Sequence, residues 1–119
     1  MSVLAAGHAR FAGWGLAVAR AALDGPVEVA VVGPVDDPRT ASLHRQALLA
    51  DVPGLVVALG PGDSGDRGSG DPLVPRDVFP ALLEGRGTVG EAPAAYVCKG
   101  FTCRMPVTTV EELRAELTR

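Results

Sequence analysis

One segment, residues 27–59, constrains the fold of this chain more than any other, because it has the pattern strand, helix, strand. Val27–Val32 is β-branched and almost continuously apolar, which is typical of a strand covered on both faces. Residues 38–50 keep one helical face apolar behind a proline that suits a first helical turn, and residues 55–59 form another short apolar run. Together they predict a βαβ unit with parallel strands and a right-handed crossover.

The ends of the chain carry helix signals. Residues 3–23 are rich in alanine, with large apolar residues at helical spacing, and Asp24, Gly25 and Pro26 then end the run. Residues 94–98 are an apolar candidate for a third strand. Near the C-terminus, Thr108 and Thr109 each precede a glutamate by three residues, which is the signature of a capping box at the start of a helix.

These elements predict a small three-layer α/β domain, and a chain of 119 residues suffices for one domain. We expect a mainly parallel three-stranded sheet in the order 2-1-3, with helices on both faces. The N-terminal helix would occupy residues 1–24, and the βαβ unit residues 25–59. A flexible crossover rich in glycine and proline would occupy residues 60–93, and a strand and the C-terminal helix residues 94–119.

Charge and aromatic content argue against several partners. The chain has 11 basic and 14 acidic side chains, so its net charge of -3 gives no surplus for binding a nucleic acid. Aromatic residues make up 4% of the chain, too few for base-stacking surfaces. No apolar run approaches the roughly 20 residues that span a bilayer, and the N-terminus lacks signal-peptide features. We therefore expect no nucleic acid or membrane partner and a cytoplasmic location, which the low cysteine count also favours.

Cys98 and Cys103 are the two cysteines of the chain, and they are separated by Lys-Gly-Phe-Thr. This spacing allows a redox pair, a disulfide or half of a metal site, but two small buried or loop-anchoring side chains are the simpler interpretation. A thioredoxin-like site has two residues between its thiols and lies at a helix N-terminus. Zinc would need four ligands, and the only histidines, His8 and His44, lie on distant predicted helices.

Two glycine-containing turns are candidate ligand sites. Residues 60–65 match G-x-G-x-x-G, but no helix follows them, so a polar linker is the simpler interpretation. The turn from Gly33 to Asp37 lies at the carboxyl edge of the predicted sheet, where a nucleotide could bind, but Asp36 and Asp37 are better explained as alternative helix N-caps. No nucleophile elbow occurs, so we assign no catalytic residue, cofactor or metal ligand, and we do not expect an enzyme.

Three segments together resemble a known family: residues 10–14 (RFAGW), 25–33 (GPVEVAVVG) and 95–108 (AYVCKGFTCRMPVT). They look like the C-terminal portion of the spermatogenesis-associated protein 20 family, whose members carry an N-terminal thioredoxin-like domain and a toroid of the six-hairpin glycosidase type. The resemblance implies that this chain is a separated C-terminal piece whose first helix ends the missing toroid. Cys98 and Cys103 match the family's cysteine pair, whereas the thioredoxin-like and toroid sequences are absent.

The sequence supports two hypotheses of function. The first is an accessory or interaction domain that packs against other domains of a parent protein, or self-associates, through its N-terminal helix. The alternative is a thiol redox or metal-binding module that uses Cys98 and Cys103.

Overall fold

The structure is a computed structural model that describes residues 2–62, 81–100 and 102–119. Its elements are α1 (Ser2–Gly7), α2 (Ala9–Asp24), β1 (Val27–Val32), α3 (Pro38–Leu48), β2 (Leu55–Gly60), a 3₁₀ turn (Ala81–Leu83), β3 (Ala94–Lys99), β4 (Thr102–Cys103) and α4 (Val110–Thr118). The α/β class and the βαβ unit are as predicted from the sequence.

The sheet has four strands in the order β2-β1-β3-β4. β1 and β2 are parallel, from Val27 opposite Leu55 to Val32 opposite Gly60. β1 lies between β2 and β3 as expected, but β3 is antiparallel to β1, and β4 is antiparallel to β3. The prediction of a mainly parallel three-stranded sheet was therefore wrong: the sheet is mixed and has a fourth, short strand.

The direction of β3 follows from where the preceding chain packs. Leu83 lies against Gly60 at the end of β2, and Pro93 lies against Gly33 just after β1, so both contacts are at the carboxyl edge of the parallel strands. β3 then starts beside the end of β1, with Ala94 opposite Val32. A strand that starts at that edge must run back across the sheet, whereas a parallel strand needs a crossover to the other edge.

The two faces of the sheet are covered differently. One face packs against α3 and α4 in a core formed by Val29, Val31, Leu43, Ala47, Ala95, Val97, Leu113 and Leu117. On the other face, Ala30, Val32 and Ala94 pack with Leu83 of the 3₁₀ turn. The expectation of helices on both faces was wrong for the described residues, because both sheet-packing α-helices lie on the same face.

Two helix starts confirm the capping signals in the sequence. The Asp37 carboxylate accepts a hydrogen bond from the Arg39 backbone N–H, and Pro38 is the first residue of α3. At α4, the Thr109 hydroxyl accepts from the Glu112 N–H, and the Glu112 carboxylate accepts from the Thr109 N–H. Of the two overlapping capping boxes that the sequence allows, the second one forms.

The N-terminal segment departs from the single helix that the sequence predicts. His8, with φ -141° and ψ 54°, separates α1 from α2. α2 packs against α1 and against no other helix or strand that the structure describes, and its Ala21 closely approaches the turn at Gly54. Ala12 is its only buried side chain. Nothing from α2 contributes to the two sheet cores.

The connection between β2 and β3 is described only in part. Of the flexible crossover predicted at residues 60–93, residues 63–80 lie outside the described residues. The described part of this connection contains the 3₁₀ turn Ala81–Leu83. No described helix is both long and apolar enough to cross a membrane.

Candidate functional site

The two cysteines of the chain form a disulfide across the edge of the sheet. Cys98 of β3 and Cys103 of β4 are directly opposite each other, with a Cα–Cα distance of 3.9 Å and an S–S distance of 2.03 Å. Of the alternatives that the C-x₄-C spacing left open, the structure contains the disulfide.

The local sequence explains why the two sulfurs meet. Lys99 is paired with Thr102, so β3 and β4 are antiparallel neighbours that are also close in sequence. Gly100 has a φ of 54°, in the left-handed region that a tight hairpin turn requires and that glycine adopts most readily. The next pair along the hairpin after Lys99 and Thr102 is Cys98 and Cys103, so these two residues are opposite each other. The glycine and the spacing are the sequence signals of this pairing.

The two sulfur-bearing residues differ in their access to solvent. Cys98 lies in the third strand of the sheet and is 1% exposed. Cys103 is exposed, on the two-residue edge strand β4. An incoming thiol can therefore approach the disulfide from the Cys103 side, and the sulfur that would leave is the buried one.

Arg86 is the functional residue that sequence reasoning missed. Its Nη2 lies 3.0 Å from Cys103 Sγ and 3.4 Å from Cys98 Sγ. Its Nη1 donates to the Leu82 carbonyl oxygen, which anchors the guanidinium to the 3₁₀ turn. No local pattern marks this arginine, because it reaches the cysteines only through the packing of the 3₁₀ turn against β1 and β2.

Tyr96 supports the same arrangement from β3. Its ring centroid lies 5.9 Å from the Arg86 guanidinium carbon, within range of a cation–π interaction. Its hydroxyl donates a 2.8 Å hydrogen bond to the Gly87 carbonyl oxygen. The residues that follow Arg86 are thereby held against the sheet, and the guanidinium stays next to the disulfide.

A shallow depression of about 270 Å³ borders the disulfide and is lined by Glu28, Ala81, Leu82, Arg86 and Cys103. Glu28 of β1 is directly opposite Cys98 in the sheet, so the site combines one carboxylate with one guanidinium. A cation in hydrogen-bond contact with sulfur stabilises a thiolate relative to a thiol, which is the usual basis of cysteine reactivity.

The other residues singled out from the sequence do not join this site. His8 precedes α2 and His44 lies within α3. Within residues 2–62, 81–100 and 102–119, no three histidine, cysteine, aspartate or glutamate side chains form a group that could hold a metal ion.

The turn at the carboxyl edge of β1 is occupied by packing and capping interactions. The Thr40 side chain and Pro93 fill the space beside Gly33. The carboxylate of Asp37 is held by Arg39, whose hydrogen bonds to the Asp37 side chain lower the pKa of that carboxyl below its ordinary value. Asp37 therefore acts as the N-cap of α3, as favoured from the sequence over a ligand site.

Comparison with known proteins adds no identification. No protein-family model, curated protein or solved structure matches this chain. The resemblance of residues 95–108 to the spermatogenesis-associated protein 20 family therefore stays a prediction.

Proposed function

We propose that this domain is a thiol–disulfide redox module whose working pair is Cys98 and Cys103. The observation that carries the proposal is the contact of Arg86 Nη2 with both sulfurs, at 3.0 and 3.4 Å. Arg86 would stabilise whichever sulfur becomes a thiolate when the bond opens. This is the redox form of the second hypothesis that the sequence supports.

The reaction is a two-step exchange. A substrate thiolate attacks Sγ of the exposed residue Cys103, a mixed disulfide forms between the substrate and Cys103, and the Cys98 sulfur leaves as a thiolate beside Arg86. A second substrate thiolate then attacks the substrate sulfur of the mixed disulfide and releases the Cys103 thiolate. The substrate dithiol has lost two electrons and become a disulfide, and the cysteine pair has gained those electrons.

Two arguments support a redox pair over a purely structural crosslink. The sequence predicts a cytoplasmic chain, and disulfides in that reducing compartment are usually catalytic or redox-sensing. The family resemblance also implies a thioredoxin-like domain in a parent protein, which would supply a dithiol partner of matching chemistry.

The experiment measures how the reactivity of the reduced protein with iodoacetamide depends on pH, in wild type and in Arg86→Ala. We expect the loss of the cation to move the midpoint of Cys103 alkylation upward by about one pH unit or more. Arg86→Lys should restore part of the effect. Arg104→Ala is the matched control, because Arg104 follows Cys103 directly but its side chain pairs with Glu116.

A second measurement tests the redox role itself. We expect the cysteine pair to equilibrate with thiol buffers at a potential above about -300 mV, since structural disulfides are typically harder to reduce than that. Identical alkylation profiles in wild type and Arg86→Ala, or a pair that stays oxidised in strongly reducing buffer, would show a structural crosslink instead.

The exposed helix α2 favours a second role, the accessory or interaction domain. Phe11 and Trp14 are 83% and 85% exposed, although aromatic side chains normally contribute to a core or an interface. We propose that α2 packs against another protein surface, whether another domain of a parent protein or a second chain. Amide hydrogen exchange tests the premise: α2 must be helical in the isolated protein, and an unprotected, unfolded α2 would exclude the role.

A further inference from the structure

Helix α2 has polar side chains on a narrow sector only. Arg10, Arg20 and Asp24 are its only charged or polar residues, and at 100° per residue they fall within about 80° of the circumference. Arg20 and Asp24 also neutralise each other in an ion pair. The remaining circumference presents apolar side chains, alanine and glycine. A helix of this kind is typical of a position between other helices rather than on a solvent-exposed face.

The largest apolar side chains of this helix are not covered by the part of the chain that the structure describes. Phe11, Trp14 and Val18 follow one another at spacings of three and four residues, so they lie on one stripe, and all three are exposed. Together they expose roughly 450 Å² of side chain, comparable to the whole of the largest apolar patch on a typical monomer.

We propose that the occupant of this stripe is a second copy of the chain, packed antiparallel through α2; the inference rests on the interaction role proposed above. A twofold axis near the middle of α2 places Phe11 of one copy opposite Ala22 of the other. The same axis places Val18 opposite Gly15. In each copy, Phe11 and Val18 thus face small residues of the other copy, which is the self-complementarity that a symmetric dimer needs.

The area supports the same occupant. A stable interface buries about 800 Å² per partner, and the stripe supplies roughly half of this area. The apolar sector extends beyond the stripe to the exposed Leu16 and Leu23, so one covering helix is too few. A second copy brings two helices, α1 and α2, which can cover a wide sector.

A lipid surface fits less well. Helices that lie on membranes carry many lysine and arginine residues on their polar face, whereas the polar sector of α2 has two arginines and an aspartate that pairs with one of them. The net charge of the whole chain, -3, also gives no attraction to anionic lipids.

The test combines molecular mass with the fluorescence of Trp14, the only tryptophan of the chain. For the full chain in sedimentation equilibrium, we expect a mass twice that of the monomer and an emission maximum that shifts to the blue as the dimer forms. Val18→Glu should weaken dimerisation by about 100-fold or more, because it buries an unpaired charge in the interface. Val35→Glu is the matched control, an equally radical change at a side chain that is 88% exposed outside α1 and α2.

Three outcomes would overturn the second copy as occupant. One is a monomer whose Trp14 emits like a solvated indole at every concentration. Another is a dimer that Val18→Glu leaves intact, since association would then use a different surface. The third is a monomer whose emission shifts only when vesicles of phosphatidylcholine and phosphatidylglycerol are added. In each case, amide exchange that shows α2 folded leaves the broader interaction role standing, and the alkylation experiment tests the redox role independently.

Discussion

At the scale of single residues, the site depends on contacts that bring distant parts of the chain together. Gly100 and the five-residue separation determine that Cys98 and Cys103 meet, and both signals are local. The contact of Arg86 with the disulfide, by contrast, depends on tertiary packing. Arg86 contacts the sulfurs from the segment before β3, and its position depends on Leu83 packing into the sheet and on Tyr96 holding Gly87.

Gly33 is tightly packed against Thr40 and Pro93. An added Cβ would lie 2.7 Å from the Pro93 Cβ and closer still to the Thr40 hydroxyl, and neither neighbour is the free end of a flexible side chain. We expect Gly33→Ala to destabilise the domain by about 1–3 kcal/mol through overpacking, measured by urea unfolding.

Gly13→Ala is the matched control for this substitution. Gly13 lies within α2 with no atom near the added methyl group, and alanine is favoured over glycine inside a helix. The control should therefore cause no loss of stability. Equal behaviour of the two variants would show that Thr40 and Pro93 move aside at little cost.

At the scale of elements, α4 is defined by its first turn. Its capping box gives the Glu112 carboxylate hydrogen bonds from the N–H groups of Thr108 and Thr109. Those bonds, with the Thr108 backbone the largest cause, lower the pKa of Glu112 below its ordinary value of 4.5. The charged form is thus favoured in the folded protein. Leu113 and Leu117 of α4 pack in the larger core, so a change in the stability of α4 changes the stability of the domain.

The direction of the pH dependence follows from this lowered pKa. A carboxyl group whose pKa is depressed by folding stabilises the folded state above its ordinary pKa, and this contribution is lost as the pH falls through the folded-state value. We expect Glu112→Gln to lower the thermal unfolding midpoint at pH 7 and to have a progressively smaller effect below about pH 4.5.

The control for the pH experiment is Glu111→Gln. Glu111 is in the same helical turn, but its carboxylate accepts no hydrogen bond from the described residues. This substitution should leave the thermal unfolding midpoint close to that of wild type, since it removes no capping hydrogen bond. A constant difference between wild type and Glu112→Gln across the acid range would contradict the assignment of the capping charge to Glu112.

At the scale of the whole molecule, the sheet with α3 and α4 forms a body to which α2 contributes no core residue. We therefore expect residues 25–119 to fold without the N-terminal helices and to unfold cooperatively within a few degrees of the full chain. Thermal unfolding followed by circular dichroism checks this expectation.

Removal of α4 serves as the contrasting deletion. It would take away Leu113 and Leu117, both buried in the larger core, so we expect it to abolish cooperative unfolding. If deletion of residues 1–24 were equally damaging, α2 would have to be part of the folding unit.

The sequence predicted what local patterns encode, namely β1, β2, the helix between them, the start of β3 and the capped helix α4. Periodicity and capping are short-range, so one chain segment suffices to show them. The break at His8 and the short strand β4 were missed, because a single backbone break and a two-residue strand produce no periodic pattern.

The sequence by itself thus determined the α/β class, the parallel pair β1 and β2, and the closeness of two cysteines five residues apart. Only the tertiary structure decided that β3 runs antiparallel, since Leu83 and Pro93 keep the connection at one edge of the sheet. It also decided that Arg86 contacts both sulfurs and that α2 is left exposed. These features depend on which surfaces of distant segments pack together, and the burial that selects among such packings is a property of the whole chain rather than of any segment.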